Sequence, residues 1–225
     1  MQHILITNDD GIQSPALAAL AGALSGLGDV TVVAPDRERS ATSHCITLDQ
    51  AVPYQQLSAN RFAVEGTPVD CVLAALLRIL KQRPSLVISG VNCGWNIGSD
   101  ILYSGTVAAA SEAALQGIPG IAVSTYPHGD YTSAAQIAGR IATHVLEHGL
   151  PPDVILNVNC PLKWNGEFRL TRQGRRSAEP LTDYEAISLG YVSISPLQIN
   201  RTAHTHFEHF SRWPEQLGAW QAAKL

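Results

Sequence analysis

The chain has 225 residues, of which 45% are hydrophobic and 15% are charged, and its formal net charge is −4. This length and apolar content can bury the core of one large domain, with or without an appendage, and they exclude an intrinsically disordered chain. The small negative charge argues against a nucleic acid duplex or an anionic membrane as partner. No apolar run reaches the roughly 18 residues that span a bilayer, and no signal-peptide pattern opens the sequence. Four scattered cysteines without a C-x-x-C pair favour a reducing compartment, so we expect a cytoplasmic protein.

Short apolar runs alternate with amphipathic stretches along the first two thirds of the chain. The runs cover residues 3–7, 30–34, 86–89, 120–124 and 154–158. They are apolar throughout, which is typical of strands buried on both faces. Ser14 before Pro15 and Thr67 before Pro68 mark two helix starts, because each pairs an N-cap hydroxyl with proline at the first helical position. This alternation predicts an α/β fold with a parallel sheet covered on both faces by helices.

The pattern changes after about residue 163. Residues 167–176 and 190–199 alternate like antiparallel strands, and residues 206–225 read as a closing helix and tail. We therefore divide the chain into a catalytic domain, 1–163, and a C-terminal extension, 164–225, with β-hairpin-like strands and a tail helix. The extension is too short to bury a large core alone.

Two adjacent carboxylates, Asp9 and Asp10, follow the first predicted strand within the stretch "ILITNDDGI". In an open α/β sheet, ligands bind beyond the carboxyl ends of the strands, so this pair lies on the functional edge. One aspartate could simply cap the next helix. However, Ser14 already provides a cap, and adjacent carboxylates repel each other unless protons or a cation intervene. A hard divalent cation with oxygen ligands is therefore a candidate here.

A glycine-rich loop follows the run at 86–89 and ends in Ser104, Gly105 and Thr106, directly before a predicted helix. Glycine lets the backbone approach a ligand closely, and a helix N-terminus offers free N–H groups to an anion such as phosphate. An ordinary glycine-rich connection with a Ser or Thr cap stays open as an alternative. The loop is neither a dinucleotide fingerprint nor a P-loop, because G-x-G-x-x-G and G-x-x-x-x-G-K-[ST] are both absent.

Five segments of the chain can be compared with known families, namely "ILITNDDGI", "VVAPDRERSATSHCITL", "VEGTPVDCV", "ISGVNCGWNIGSDILYSGTVAAASEAALQGIPGIAVS" and "TDYEAISLGYVSISPL". Taken together, they resemble the stationary-phase survival protein SurE family. They follow one another in the family's order over nearly the whole chain. The resemblance implies a three-layer αβα sandwich with a Rossmann-like, mostly parallel sheet. It also implies metal-dependent hydrolysis of nucleoside 5′- and 3′-monophosphates, and a C-terminal extension that subunits exchange.

Carried over by position, the family's metal ligands correspond to Asp9, Asp10, Ser40 and Asn92. All four are hard oxygen donors, so one Mg²⁺ or Mn²⁺ per subunit is expected. Asn96, Ser104, Gly105 and Thr106 would bind the phosphate. Our hypothesis is that the ion activates a water molecule for in-line attack on phosphorus, with Asp9 or Asp10 as the proton acceptor.

The chain also departs from the family at two places. Between "RRSAEP" and "LTDYEA" most relatives carry a longer hairpin that helps to build the higher oligomer, so we expect a homodimer, and a tetramer is in doubt. Ala41 stands where a glycine commonly follows the metal-binding serine, which matters if the backbone there needs a positive φ.

Other functions and weaker candidate residues stay open. A catalytically silent nucleotide- or phosphate-binding protein of the same fold would keep the ligand set without turnover. A receiver-like module would need a phosphoacceptor aspartate after the third strand of the sheet. A haloacid-type phosphatase would need the pattern D-x-D after the first strand. The sequence has neither pattern. His44 is a weaker candidate for a proton donor, and Trp95 and Tyr103 are weaker candidates for base stacking.

Overall fold

The computed structural model describes residues 2–127, 129–174, 181–211 and 213–214. The strands are β1 His3–Thr7, β2 Asp29–Pro35, β3 Tyr54–Ser58, β4 Arg61–Val64, β5 Leu86–Cys93, β6 Gly120–Thr125, β7 Val154–Cys160, β8 Phe168–Leu170 and β9 Val192–Gln198. The α-helices are α1 Pro15–Leu24, α2 Pro68–Ala74, α3 Gly105–Leu115, α4 Tyr131–His148, α5 Asp183–Ser188 and α6 Phe207–Phe210. Shorter helical turns cover Ala75–Ile79, Gly98–Leu102 and His204–His206.

The nine strands form one mixed sheet in the order β3-β4-β2-β1-β5-β6-β7-β9-β8. Strands β4, β2, β1, β5, β6 and β7 are parallel to one another, and β3 is antiparallel to β4. All five predicted strands are present. β5 is longer than predicted, because it continues past Ser89 as far as Cys93. This extension keeps Asn92 within the sheet, opposite Ser124 of β6.

Helices cover both faces of the sheet, which confirms the predicted three-layer αβα sandwich. On one face, α1 and α4 pack their buried leucines, isoleucines and alanines against β1, β2 and β5. On the other face, α2 and α3 pack against the same strands and against β4 and β6. Each central strand is therefore buried on both sides, and this burial explains its continuous apolar sequence.

Both predicted helix starts are confirmed by their caps. The Ser14 hydroxyl accepts a hydrogen bond from Ala16 N–H at 3.3 Å. Thr67 Oγ1 accepts from Asp70 N–H at 3.1 Å, and Asp70 Oδ2 accepts from Thr67 N–H at 2.9 Å. This reciprocal pair is a capping box, which satisfies two backbone donors of α2 at once.

The hairpin-like pairing predicted for the C-terminal extension is wrong. β8 and β9 are parallel to each other, and β9 is antiparallel to β7. The physical reason is α5, which lies between β8 and β9 and carries the chain back, so that both strands point in the same direction. Within the described residues, the extension therefore continues the main sheet.

Several expectations fall outside the described residues. Residues 175–180, which flank the hairpin that we expect to be shortened, are not described, and neither are residues 215–225, which make up most of the predicted tail helix. Only α6 and positions 213–214 represent that helix. Among the helices that the structure describes, none is long and apolar enough to cross a membrane.

The strand order reverses between β1 and β5. From β1 the chain proceeds to β2 on one side, and it later returns to β5 on the other side. A reversal of this kind opens a crevice at the carboxyl ends of the two strands, where ligands of open α/β sheets bind. Asp9 and Asp10 follow β1, and Asn92 lies at the end of β5. The topology thus places the predicted ligands at this crevice.

Candidate functional site

A tight turn follows β1 and presents the two carboxylates. Asn8 closes the turn on itself, because its Nδ2 donates to Gly11 O at 3.1 Å and its Oδ1 accepts from Gly11 N–H at 3.2 Å. Gly11 has a φ of +94°, and a Cβ at this position would come within 2.8 Å of the Arg37 backbone. The turn needs glycine here for both reasons.

Asp9 is buried and held at the N-terminus of α3. Thr106 donates to both oxygens of its carboxylate, from Oγ1 to Oδ1 at 2.6 Å and from the backbone N–H to Oδ2 at 3.2 Å. Burial raises the pKa of Asp9, while the Thr106 hydrogen bonds act in the opposite direction. A Cβ on Gly105 would lie 3.1 Å from Asp9 Cβ, so glycine lets the helix end approach the carboxylate.

Asp10 lies beside Asp9 with one oxygen unsatisfied. Its Oδ2 is buried and has no hydrogen-bond partner among the described residues. Burial, followed by the charge of Asp9, raises the pKa of Asp10 from its ordinary 3.8 to about 6. A buried carboxylate oxygen without a partner is costly unless a proton or a cation satisfies it.

The side-chain donors of Ser40 and Asn92 are engaged in hydrogen bonds within nearby loops, and their oxygens remain as possible metal ligands. The Ser40 hydroxyl donates to Glu38 Oε1 at 2.9 Å, which leaves the lone pairs of its oxygen available. Asn92 Nδ2 donates to Gly94 O at 2.8 Å, which identifies the amide nitrogen, and Oδ1 accepts from no donor among the described residues, so it can bind a cation. The structure thus prepares an acceptor oxygen at both positions.

One cavity of about 530 Å³ brings the four predicted metal ligands together. Its lining includes Asp9, Asp10, Glu38, Ser40, Ala41, Asn92, Cys93, Asn96, Asp100, Tyr103 and Ser104. The four predicted donors are two carboxylates, a hydroxyl and an amide oxygen, and one carboxylate oxygen is buried without a partner in the described part of the chain. This donor set fits Mg²⁺ or Mn²⁺ better than zinc, which favours nitrogen and sulfur ligands.

The predicted phosphate-binding residues divide into two groups. Asn96 and Ser104 line the cavity. The Ser104 oxygen caps α3 by accepting from Val107 N–H at 3.0 Å, so its hydroxyl hydrogen stays available. Gly105 N–H donates to no acceptor within the described part of the chain. Thr106 is fully buried and both its donors bond Asp9, so the structure places it as a positioning residue for that carboxylate.

A buried amide network beneath the cavity fixes Asn96, and the sequence gives no signal of it. The Asn159 side chain accepts from Asn96 N–H at 2.9 Å and donates to Asn96 O at 3.0 Å. Asn157 Nδ2 donates to the same carbonyl at 2.8 Å, and Asn96 Nδ2 donates to Ser124 Oγ at 2.8 Å. These partners come from β6 and β7, so only the folded sheet shows that they belong together.

Asp183 links the C-terminal extension to the glycine-rich loop after β5. Its carboxylate is fully buried and accepts from Gly98 N–H at 2.8 Å and from Gly174 N–H at 3.1 Å. Burial raises the pKa of Asp183 even though these backbone donors favour the charged form. The contact spans 85 positions of sequence, so no local pattern could have predicted it.

The weaker candidates occupy different surroundings. His44 Nε2 lies 2.9 Å from Glu112 Oε2, and this hydrogen bond lowers the pKa of the Glu112 carboxyl. Trp95 donates to Cys160 O at 2.7 Å and packs edge-on against Tyr126, so its ring is already engaged. Tyr103 lines the cavity and is 64% exposed, which leaves it available to a ligand.

Ala41 has a φ of +56°, so the backbone next to Ser40 adopts the left-handed conformation. An alanine there costs about 1–2 kcal/mol relative to the right-handed region, and glycine avoids most of that cost. The condition under which the alanine matters, a positive φ at this position, is therefore met.

Comparisons with known proteins agree with this geometry. A family model described as "Survival protein SurE" matches residues 4–180. The chain is 45% identical to the 5′-nucleotidase SurE of Pelobacter propionicus over 94% of this chain and 99% of that protein. It is 46% identical to the 5′-nucleotidase SurE of Citrifermentans bemidjiense, over 93% and 98% respectively. The crystal structure of the SurE protein from Aquifex aeolicus has a TM-score of 0.89 and 35% identity, and the match covers 95% of this chain and 99% of that one.

The Pelobacter alignment is longer than this chain. It runs over 244 positions, 19 more than the 225 residues of this chain, so at least that many positions have no counterpart here. The family model nevertheless covers both halves of the cavity, from the carboxylate pair to the end of the glycine-rich loop. By matched length, identity and fold, this chain belongs to the SurE family of survival proteins.

Proposed function

We propose that this protein is a metal-dependent phosphatase that hydrolyses nucleoside 5′- and 3′-monophosphates to nucleoside and phosphate. The observation that carries the proposal is the single cavity at the reversal of strand order, where four oxygen donors meet the N-terminus of α3. Relatives that are about 45% identical over nearly their whole length are named 5′-nucleotidase. The proposed activity on 3′-nucleotides goes beyond those names.

One divalent cation per subunit, Mg²⁺ or Mn²⁺, would be held by Asp9, Asp10, Ser40 and Asn92. When bound, such an ion neutralises charge on the phosphate and activates water as a nucleophile. Asp9 is held in place by two hydrogen bonds from Thr106, so its proposed role is a fixed ligand. The energetic contribution of the protein is to hold these groups in position before substrate arrives.

Asp10 is the proposed proton acceptor. Its Oδ2 makes no hydrogen bond with the described residues, so this oxygen has lone pairs available to receive a proton. Asp9 is less suited, because both its oxygens already accept hydrogen bonds. A carboxylate has two oxygens, so Asp10 can contact the ion through one and receive a proton at the other.

The phosphate would lie between the carboxylate pair and the start of α3. Ser104 can donate its hydroxyl hydrogen, Gly105 its backbone N–H, and Asn96 a side-chain N–H. The dipole of α3 adds attraction for an anion at this end. All of these groups recognise the phosphate itself, whichever ribose hydroxyl carries it, and this supports the proposed activity on both 5′- and 3′-nucleotides.

The experiment measures phosphate release from a panel of nucleoside 5′- and 3′-monophosphates after EDTA treatment, and again with Mg²⁺ or Mn²⁺ restored. Asp9→Asn is compared with wild type. Asp29→Asn is the matched control, because that carboxylate is exposed at the amino end of β2. We expect metal-dependent release that Asp9→Asn abolishes and the control retains. Release that survives EDTA or Asp9→Asn contradicts the proposal.

The same panel of nucleotides distinguishes an active phosphatase from a protein that binds nucleotides without hydrolysing them. If wild type binds nucleoside monophosphates in calorimetry and releases no phosphate with either metal, the protein is a catalytically silent binder. In that case we would replace Ala41 by glycine, because Ala41 has a positive φ next to the serine ligand.

We also propose a homodimer whose subunits exchange their C-terminal elements. The described residues 201–206 are exposed, and an open cavity of about 1000 Å³ lies between α3 and the extension. Three leucines on the cavity wall, Leu102, Leu115 and Leu170, are 46%, 53% and 74% exposed. Apolar surface of this kind is typical of subunit contacts. Light scattering that gives the mass of a monomer would exclude the dimer.

We propose a cytoplasmic location because the cysteines form no disulfide bonds among the described residues. Cys45, Cys71, Cys93 and Cys160 are all free thiols. Free, scattered cysteines are typical of proteins in reducing compartments.

A further inference from the structure

A second group of potential metal ligands lies on α4, away from the cavity described above. His144, Glu147 and His148 are all exposed, and one ligand atom from each lies within 4.8 Å of the others. Among the described residues this is the one group of three or more His, Cys, Asp or Glu side chains with such spacing. The sequence "HVLEH" places the histidines at positions i and i+4 of a helix, which is the spacing of two ligands on one face.

The two imidazoles lie next to each other in a stacked arrangement, and the His144 ring must turn for both histidines to bind one ion. Their ring centroids lie 4.1 Å apart with an interplanar angle of 30°. His148 Nδ1 lies 2.9 Å from His144 O. A carbonyl can only accept, so Nδ1 carries the hydrogen and Nε2 of the neutral ring is left with a free lone pair. In metal sites the second ring nitrogen of a histidine ligand usually has such a backbone partner, which fixes the orientation of the ring.

The electrostatic surroundings also favour a cation. Glu147 makes no ion pair with the described residues. Arg140, one turn earlier on α4, lies over the rings of Trp164 and Phe168, at 5.8 and 5.0 Å from their centroids. The three ligands occupy the last turn of α4, and the negative end of a helix dipole attracts positive charge.

We infer that His144, Glu147 and His148 form a binding site for a zinc-type transition metal ion on the surface of α4. Two imidazoles and one carboxylate suit Zn²⁺, Ni²⁺ or Cu²⁺, whereas Mg²⁺ and Ca²⁺ prefer sets made only of oxygen. Three protein ligands leave at least one coordination position to water. The protein thus carries two cation sites with different chemical preferences.

The α4 site is too far from the phosphate cavity to take part in hydrolysis. α4 begins after the carboxyl end of β6 and runs back along the sheet, so its last turn lies at the opposite edge. At 1.5 Å per residue, the helix separates the two ends by about 20–25 Å. A bound ion at His144 and His148 would therefore stabilise α4 without contacting the substrate.

The test measures Zn²⁺ binding by competition with a chromophoric chelator and by the shift in thermal unfolding temperature. The variants are His144→Ala, His148→Ala and Glu147→Gln, and Asp10→Asn identifies any Zn²⁺ that binds at the carboxylate pair. The matched control is His204→Ala/His206→Ala, which removes two exposed histidines that lack the helical i, i+4 spacing.

We expect one Zn²⁺ per chain that Asp10→Asn leaves in place. His144→Ala or His148→Ala should weaken its binding by about 10- to 100-fold or more, and Glu147→Gln by less. The rise in unfolding temperature with Zn²⁺ should disappear in the same histidine variants and persist in the tail control. Circular dichroism without metal and Mg²⁺-dependent phosphate release check that each α4 variant is folded.

Two results would overturn the inference. One is Zn²⁺ binding with wild-type affinity in both His144→Ala and His148→Ala. The other is a wild-type protein whose only bound Zn²⁺ is lost in Asp10→Asn or in the tail control. Neither result bears on the proposed nucleotidase activity, because that activity is measured with Mg²⁺ and depends on other residues.

Discussion

Asp10→Asn should stabilise the metal-free protein and abolish its activity. In the folded protein the pKa of Asp10 is about 6, against an ordinary value of 3.8. The folded state therefore binds this proton more tightly than the unfolded state does, and the free energy of unfolding falls as pH rises from about 4 to about 6. The full difference corresponds to about 3 kcal/mol, which solvent around the partly exposed side chain reduces to about 1–2 kcal/mol. Asparagine has nearly the same shape and cannot ionise, so it avoids this cost.

Urea unfolding in EDTA at several pH values tests this prediction. The variant should exceed wild type by about 1–2 kcal/mol at pH 7.5, and the difference should shrink towards zero near pH 4. With Mg²⁺ the order should reverse, because only wild type gains free energy from the bound ion. Phosphate release by the variant should fall by about 10²- to 10⁴-fold. The reasoning is refuted if metal-free Asp10→Asn is no more stable than wild type at pH 7.5, or if the difference does not change with pH.

Three further substitutions test other parts of the structure. Thr106→Val removes the hydroxyl that bonds Asp9 and keeps the backbone donor, so phosphate release should fall by about 10- to 100-fold while Thr106→Ser stays near wild type. Asn159→Leu leaves the buried N–H of Asn96 without its acceptor and should cost about 1–3 kcal/mol in urea unfolding; equal stability would contradict the role of the amide network. Ala41→Val forces a β-branched side chain into a φ of +56° and should cost about 1–2 kcal/mol, whereas Ala41→Gly should be at least as stable as wild type.

The sequence predicts the central sheet well because burial on both faces leaves a continuous apolar run in each strand. β3 was not predicted, because all five of its residues are exposed and the segment "YQQLS" shows neither a continuous apolar run nor alternation. β4 pairs with both β2 and β3, and its four residues are too few for a clear pattern. Short or exposed strands depend on their neighbours, so their own sequence carries little signal.

The candidate site was predictable where its residues lie at or next to the carboxyl ends of strands. Asp9, Asp10 and Asn92 lie at strand ends that share one edge, and the sequence motifs contain them together with Ser40. The residues that orient them were not predictable in the same way. Thr106 bonds Asp9 across 97 positions, and Asn159 bonds Asn96 across 63. Such contacts exist only after the strands and helices have packed.

The position of β9 at the edge of β7 affects the tendency of the protein to aggregate. β9 pairs with β7 along nearly the whole length of that strand. A chain ending at residue 163 would expose the backbone donors and acceptors of β7 beside an apolar sequence, "VILNV", which is a template for intermolecular aggregation. In the intact sheet the outermost strands are poor templates instead: β3 is exposed and interrupted by a bulge, and β8 has only three residues. The C-terminal extension therefore protects the protein against self-association in fibrils or precipitates.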